Sequence, residues 1–551
     1  MTVTRRTIFV VFLVAAALSM GWSLRNGFVY DDLPAIVNNP RVTDPSLWHT
    51  IPRSPYWLGT LWRPVTVSLF ALQWWIGHGA AWIFHLVSLF GYVGVAALGY
   101  ALMRRLRLGA VPAALVGILF LVHPVHVEVV ASTVGQSEIW AAMSMLAATL
   151  IYLRARQSGV KAPSVLALLL MVAVAIMAKE QGFVAPVLLA GAEWILAGHR
   201  RDETGQATDQ PLSERIRLLI PVFALAALLF VLRANLLDSF TGESPAIALR
   251  KLGPGGRFIT FLGVIPEYAR LLAWPLQLQA DYGPPGVPVG GTFALRHAIG
   301  AGLLIAYVTL FLRWRRQNPG AAFGLFWAAV ALAPVSNLLT PSGIVMAERV
   351  LFLPSVGIAI AAAAAIANRE ASPVTGDVAR HREQSGMRRV LLAAVITWGL
   401  LLTVRSVTRV SVWHDQRRFF SALTLDAPRA YRAWKVSGEY WDQAGDHARA
   451  EANLRHALRL WPHDYEVSER LGQYLRADGH CDEAIPILAA GVERDPDVTS
   501  LRAKLIECLL AERQWERADR MVDEALAQGQ SEFQSMRERV KTLRLRADSL
   551  P

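Results

Sequence analysis

Apolar blocks long enough to cross a hydrocarbon layer recur through the first part of this chain, up to about residue 410. A helix needs about 20 apolar residues to traverse roughly 30 Å of lipid tails. Lipid offers a peptide group no hydrogen-bond partner, so such blocks fold as helices that satisfy their own backbone. Residues 1–410 are therefore expected to form an all-α, polytopic membrane bundle. The mean hydropathy of +0.34 agrees, being too high for an ordinary soluble protein. The formal net charge of +12 sits largely in short connections between blocks, where Lys and Arg set orientation. It reads as a topology signal or as a surface for anionic lipid heads, and nucleic acid is not expected as a partner.

Arg5 and Arg6 mark the cytoplasmic side of the first block, residues 8–24. A cleaved signal ending near Ala15, Ala16 and Ala17 is the alternative, and an uncleaved helix is expected. Residues 25–80 then lie outside, with Asp31, Asp32 and Asp44 and a Trp-rich segment of Trp48, Trp57, Trp62, Trp74 and Trp75. Aromatics at that density suit a helix lying along the membrane interface. Further spans are expected at 81–103, 110–122, 139–153, 165–178, 184–196 and 216–232. Arg104, Arg105, Arg107, Arg154, Arg156, Lys161, His199, Arg200 and Arg201 fall on the cytoplasmic side, followed by a polar loop at 202–215. The stretch 258–278 is apolar but contains Pro266, Glu267, Arg270 and Pro275. A full crossing there would put Arg313, Arg315 and Arg316 outside, so a re-entrant or interfacial helix is expected. Spans at 298–312, 323–339, 350–366 and 390–404, with a cytoplasmic polar linker at 368–389, complete the bundle. The total is about eleven crossings, and the C-terminal segment emerges outside.

After a connector at 411–430 the texture changes to amphipathic helices with a period of about 34 residues. Trp434, Gly438, Trp441, Ala450, Leu454, Ala457 and Pro462 fit the tetratricopeptide pattern. One period later stand Leu471, Gly472, Leu475, Ala484, Leu488 and Pro496, and then Leu505, Leu509, Ala518, Val522 and Ala525. Three repeats are expected over 431–532, and Phe533, Met536, Val540 and Leu543 suit a capping helix at 533–551. The first helix of each repeat lines the concave face. Its expected groove positions are Arg432, Lys435, Glu439 and Asp442, then Glu466, Glu469, Gln473 and Arg476. Their mixed signs select no acidic or phosphorylated partner, and a plain solvated face fits equally well. The chain's two cysteines, Cys481 and Cys508, lack metal-ligand spacing. Antiparallel helix packing would bring them together, which permits a disulfide on an oxidising side.

With this topology, Asp31, Asp32, Arg63, His123, His126, Glu128, Lys179, Glu180, Glu348 and Arg349 all lie outside, near helix ends. Singly, each suits an interfacial anchor or a salt bridge. Together, with both signs and two histidines, they suit a site for a charged ligand, cations on a phosphate and a carboxylate taking a proton. His123 and His126 also suit the cap of a short helix ahead of Pro124. No fixed spacing demands a metal, so neither metal nor cofactor is expected.

The stretch Phe28, Val29, Tyr30, Asp31, Asp32, with Arg63 and Pro64, resembles the transmembrane and tetratricopeptide-repeat-containing O-mannosyltransferases. So do His123, Pro124, Val125 and His126, then Lys179 and Glu180, and the run from Glu348 and Arg349 to Pro354. More broadly the chain is similar to polytopic glycosyltransferases of the GT-C fold. The resemblance implies a GT-C-like bundle, an acidic pair in the first outside loop as catalytic signature, and a polyprenyl-phosphate sugar as donor. It implies inverting transfer to a hydroxyl, with Asp31 or Asp32 as base, Arg63, Lys179 or Arg349 steadying the leaving phosphate, and His123 and His126 on donor phosphate or sugar hydroxyls, the helix cap being the equal alternative for these two. Mannose, a Ser or Thr acceptor on an exported protein, and a site on the periplasmic or outer face of the cell membrane follow from it too. The repeats would bind the acceptor or a partner protein. The alternatives are a transporter or flippase of a lipid-linked or anionic substrate, which would show hydropathy repeats and mid-span charges, and a membrane-anchored scaffold.

Overall fold

A computed structural model describes residues 4–56, 61–197, 211–239, 245–370 and 378–548. Trp57, His199, Arg200, Arg201 and residues 202–210 of the expected polar loop lie outside the described residues, as do 371–377 of the linker and 549–551 of the capping segment. The chain forms two compact units. One comprises residues 1–246, 252–280 and 290–422, the other 247–251, 281–289 and 423–551.

The first unit begins with α1 (Arg5–Met20), followed by α2 (Pro64–Gly77), α3 (Ala81–Arg105), α4 (Ala110–Leu121), α5 (Val127–Ala131) and α6 (Gln136–Ser158). Next come α7 (Ala162–Ala178), α8 (Ala185–Leu196), α9 (Leu212–Leu237), α10 (Pro254–Ala273), α11 (Leu295–Gln317) and α12 (Pro319–Leu332). Last are α13 (Phe352–Glu370), α14 (Val378–Val410) and α15 (Gln416–Asp426), which leads into the second unit. Among the described residues, six helical stretches are long and apolar enough to span a membrane: Arg5–Arg25, Ala81–Arg105, Leu212–Leu237, Leu295–Gln317, Glu348–Ala367 and Leu392–Trp413. Ala110–Leu121 with Pro124–Ala131 forms a further apolar pair, bent by 53°. The all-α, multi-pass character expected from the apolar blocks is thus present.

Small residues set the closest packing. A Cβ on Gly324 of α12 would lie 2.5 Å from the Gly357 carbonyl oxygen, and one on Gly357 would lie 2.4 Å from that of Gly324. The two backbones touch, the contact that small residues permit between membrane helices.

Three local expectations change. The apolar stretch at 258–278 is helical only to Ala273, because Pro275 biases the preceding residue away from helix. The linker at 368–389 is already helical from Val378. The Trp-rich segment is only partly interfacial: Trp62 is buried with its Nε1–H on the Pro52 carbonyl at 3.0 Å. Trp48 and Trp74 pack on a local core of Ala35, Ile36, Val42, Tyr56, Phe70 and Phe84. Leu72, Trp75 and Ile76 on α2 remain exposed, as an interface-lying helix requires.

The second unit pairs α16 (Tyr431–Gln443) with α17 (His447–Leu460), α18 (Tyr465–Ala477) with α19 (Cys481–Arg494), and α20 (Thr499–Ala511) with α21 (Trp515–Ala527), before α22 (Gln534–Asp548). Gly472 lets α18 approach α19, since a Cβ there would meet Leu488 Cδ2 at 2.5 Å. Gly445 and Gly479 turn the first two pairs at φ of +81° and +80°, whereas Arg513 takes that place in the third at +54°. Two upstream segments belong to this unit. Residues 281–289 run against the start of α16, with the Gly286 N–H on the Arg429 carbonyl and the Tyr431 N–H on that of Pro284, both at 3.0 Å. Asp281 pairs with Arg432 at 3.2 Å, and Lys251 with Asp495 at 2.8 Å.

Candidate active site

The acidic pair sits on a tight turn after the first span, where the Asp32 N–H bonds the Val29 carbonyl at 3.1 Å and the Leu33 N–H that of Tyr30 at 3.1 Å. Tyr30 adopts a left-handed backbone, φ +55°, a conformation uncommon outside glycine. Its N–H bonds Gln416 Oε1 at 3.2 Å and its ring stacks on Phe419 with centroids 5.4 Å apart. The Gly27 N–H donates to the His414 carbonyl at 2.9 Å. Contacts to the residues after the last span thus hold the turn in place.

The two carboxylates differ. Asp32 is fully buried, accepting from the Val29 N–H at 3.1 Å, the Val134 N–H at 2.9 Å and the Ser132 hydroxyl at 3.3 Å. Burial raises its carboxyl above the usual range, against the opposing pull of nearby donors, the Val29 and Val134 N–H groups among them. It latches the loop to the turn between α5 and α6, where a Cβ on Gly135 would lie 2.2 Å from the Val129 carbonyl oxygen. Asp31 is half-buried, within electrostatic reach of Arg349 and of the Tyr56 hydroxyl.

The expected cations carry carboxylate partners. Arg63 grips Glu180 with Nη2 at 2.7 Å and Nε at 2.9 Å from Oε2. Burial works against the Glu180 charge, but Arg63 and its hydrogen bonds outweigh it and hold that carboxyl below the ordinary range. Arg349 bonds Glu128 Oε1 at 2.6 Å, and its own N–H bonds Oε2 at 2.9 Å. Lys179 pairs with Glu138, a buried residue that the sequence reading passed over because it heads an otherwise apolar span. Glu348 is buried and accepts the Gln279 N–H.

Both histidines face inward. The His123 ring contacts the Leu272 carbonyl at 3.1 Å through Nε2 and accepts the Val125 N–H at 3.3 Å through Nδ1, capping the short helix at Pro124. His126 lies 2.8 Å from the Tyr92 hydroxyl and 2.9 Å from that of Ser355. Of the two, His123 makes the contact of the helix-capping alternative. Among the described residues no three His, Cys, Asp or Glu side chains are grouped to hold a metal ion.

In the repeats most of the expected groove residues already carry partners. Lys435 is buried rather than open to a groove, bonded to Asp464 at 3.3 Å and to Glu466. Lys504 bridges Glu469 at 2.9 Å and Gln473 at 3.2 Å, Arg476 pairs with Glu507 at 3.2 Å, and Asp442 with His447 at 3.2 Å. Arg432 is taken by Asp281. Burial raises the Glu439 carboxyl, with Lys435 opposing. Cys481 and Cys508, both buried, place their sulfur atoms 2.9 Å apart.

Fold and charge placement together define a multi-pass membrane protein with a polar, carboxylate-rich site after its first span and a tetratricopeptide solenoid at its C-terminus. In sequence the chain is similar to curated animal proteins named protein O-mannosyl-transferases. It is 26% identical over 486 residues to the mouse protein O-mannosyl-transferase TMTC3, covering 82% of this chain and 50% of that protein. It is 31% identical over 280 residues to Drosophila melanogaster Tmtc2, covering 48% of this chain and 29% of that one. With Caenorhabditis elegans F38B6.6 it shares 24% over 453 residues, covering 80% and 60%. The chain thus spans about half the length of the first of these curated relatives. The tetratricopeptide repeat family pattern matches residues 443–505 and 475–540. Among solved structures, the apo Archaeoglobus fulgidus oligosaccharyltransferase aligns with a TM-score of 0.44 at 13% identity, over 81% of this chain and 60% of that one.

Proposed function

We propose that this protein is an inverting, GT-C-type glycosyltransferase moving a sugar, mannose by the names of its relatives, from a polyprenyl-phosphate carrier to a Ser or Thr hydroxyl of an exported protein. One observation carries the residue assignment: the Asp32 carboxylate is enclosed by three donors, while its neighbour Asp31 is half-buried beside Arg349. Asp31 is then the base. It takes the acceptor proton as the hydroxyl oxygen bonds to the anomeric carbon, and the bond from that carbon to the phosphate oxygen breaks with inversion. General-base help of this kind contributes about 10²–10⁴-fold. Arg349, with 30% of its side chain exposed, is the cation best placed to steady the departing lipid phosphate. Glu128 holds it in place, as Glu180 holds Arg63 and Glu138 holds Lys179. Neither a metal nor a cofactor is needed in this scheme. The site and repeats work on the non-cytoplasmic face, periplasmic or outer in a bacterial cell, and the repeats recruit the acceptor or a partner protein. Comparing intact masses of exported proteins from cells with and without the gene tests this. Loss of hexose additions is expected, and identical masses with altered lipid or polysaccharide glycans would move the acceptor elsewhere.

A further inference from the structure

Tyr56 carries a buried hydroxyl that no other described residue uses. The residue is 5% exposed, and its Oη has no hydrogen-bond partner among the described residues. Leaving a buried hydroxyl unbonded is costly, so such a group in a folded protein calls for an explanation. Its surroundings supply one. The Arg63 guanidinium lies over the ring, 5.2 Å from the centroid. Asp31, Asp32 and Glu180 are within electrostatic reach of the hydroxyl. Burial pushes its pKa up, so Oη keeps its proton and stands ready to donate. A second buried donor without a partner, the Trp48 Nε1–H, belongs to the side chains packed around the same small core. The nearby cations Arg63 and Arg349 already share their charge with Glu180 and Glu128.

We propose that the Tyr56 hydroxyl donates a hydrogen bond to a phosphate oxygen of a lipid-linked ligand held beside Asp31, making Tyr56 a binding residue of the site. This rests on reading the Asp31 loop as a glycosyl-transfer site. A neutral donor suits the task, because it bonds phosphate oxygen without competing with the carboxylates already on the two arginines. Hydrogen bonds to a charged partner are the stronger kind. Their loss corresponds to about a tenfold or greater fall in affinity.

The test uses the purified full chain in lipid nanodiscs, wild type and Tyr56→Phe, titrated with a fluorescent polyprenyl phosphate and separately with inorganic phosphate. Phenylalanine keeps the ring under Arg63 and removes only the hydroxyl. Binding of the polyprenyl phosphate is expected to weaken about tenfold, with the melting temperature unchanged or raised. Competition by inorganic phosphate at comparable concentration would identify free phosphate as the ligand and overturn the lipid assignment. Equal binding by the two proteins would overturn the role of Tyr56 while leaving the transfer reading intact. A melting temperature several degrees lower in Tyr56→Phe would show that the hydroxyl is used structurally, against the proposal. A wild-type protein that binds no polyprenyl phosphate would sink both readings.

Discussion

Replacing Asp32 separates the latch from the base. Three donors converge on its carboxylate, with Val134 N–H and Ser132 O–H on one oxygen and Val29 N–H on the other. Asp32→Ala strands all three in a buried site. At about 1–3 kcal/mol for each unsatisfied group before relaxation, a loss of about 3–5 kcal/mol is expected. Asp32→Asn keeps one acceptor oxygen and turns an amide N–H₂ toward the remaining donor, so about 1–3 kcal/mol is expected. Asp31→Asn keeps the shape of a half-buried side chain and should cost about 1 kcal/mol, the common size of a point substitution. Thermal unfolding of the detergent-solubilised chain, followed by fluorescence-detected size exclusion, should rank Asp32→Ala below Asp32→Asn, and that below Asp31→Asn. An Asp32→Ala protein that melts with the wild type would refute the latch and return the assignment of the base to an open choice.

Three further outcomes are expected. The Glu180 carboxyl is held below its ordinary range in the folded state, so its stabilisation is complete above an unfolded carboxylate pKa of about 4.3 and lost as pH falls through the folded value. The melting-temperature gap between wild type and Glu180→Gln should be present at pH 7 and shrink below about pH 4; a constant gap would mean that the charge is not what matters. Arg513 holds a left-handed backbone at φ +54° where the other two repeats have glycine. Arg513→Gly should therefore stabilise the repeats by about 0.5–1 kcal/mol, relief of the left-handed strain less the entropy cost of glycine, read as a shift in the urea midpoint. A Cβ on Gly283 would lie 4.0 Å from Arg432 Cβ, inside the range for a disulfide. Gly283→Cys with Arg432→Cys, in a chain whose native cysteines are replaced by serine, should cross-link under mild oxidation and place the connection after α10 on the same membrane side as the repeats. Two thiols labelled from opposite sides would contradict the placement of 281–289 in the repeat unit.

Much of this architecture was legible in the chain. Apolar length marked the six helical stretches that are long and apolar enough to span among the described residues, expected at 8–24, 81–103, 216–232, 298–312, 350–366 and 390–404, since lipid leaves a long apolar segment few other choices. The other five expected crossings are not among those six. The small residues of the tetratricopeptide pattern marked the repeats, because Gly438 and Gly472 are where two helices must touch. The site was legible as a set of residues and not as a set of partners. Spacing in sequence cannot show that Arg63 meets Glu180, or that Lys179 meets Glu138, which are 117 and 41 residues apart. Nor can it tell a binding histidine from a capping one, as at His123. The groove reading failed at Lys435 for the same reason: its partners Asp464 and Glu466 belong to the next repeat. Tyr56 gave no signal, being one aromatic in an aromatic-rich loop. Only the enclosure of its hydroxyl distinguishes it.

The most direct test is transfer itself. Purified wild type, Asp31→Asn and Asp32→Asn would be incubated with a radiolabelled polyprenyl-phosphate mannose and a Ser- and Thr-containing acceptor protein. Label should pass to the acceptor with the wild type, fall by at least about 10²-fold with Asp31→Asn, and track the folded fraction with Asp32→Asn. Undiminished transfer by a folded Asp31→Asn protein would contradict the account.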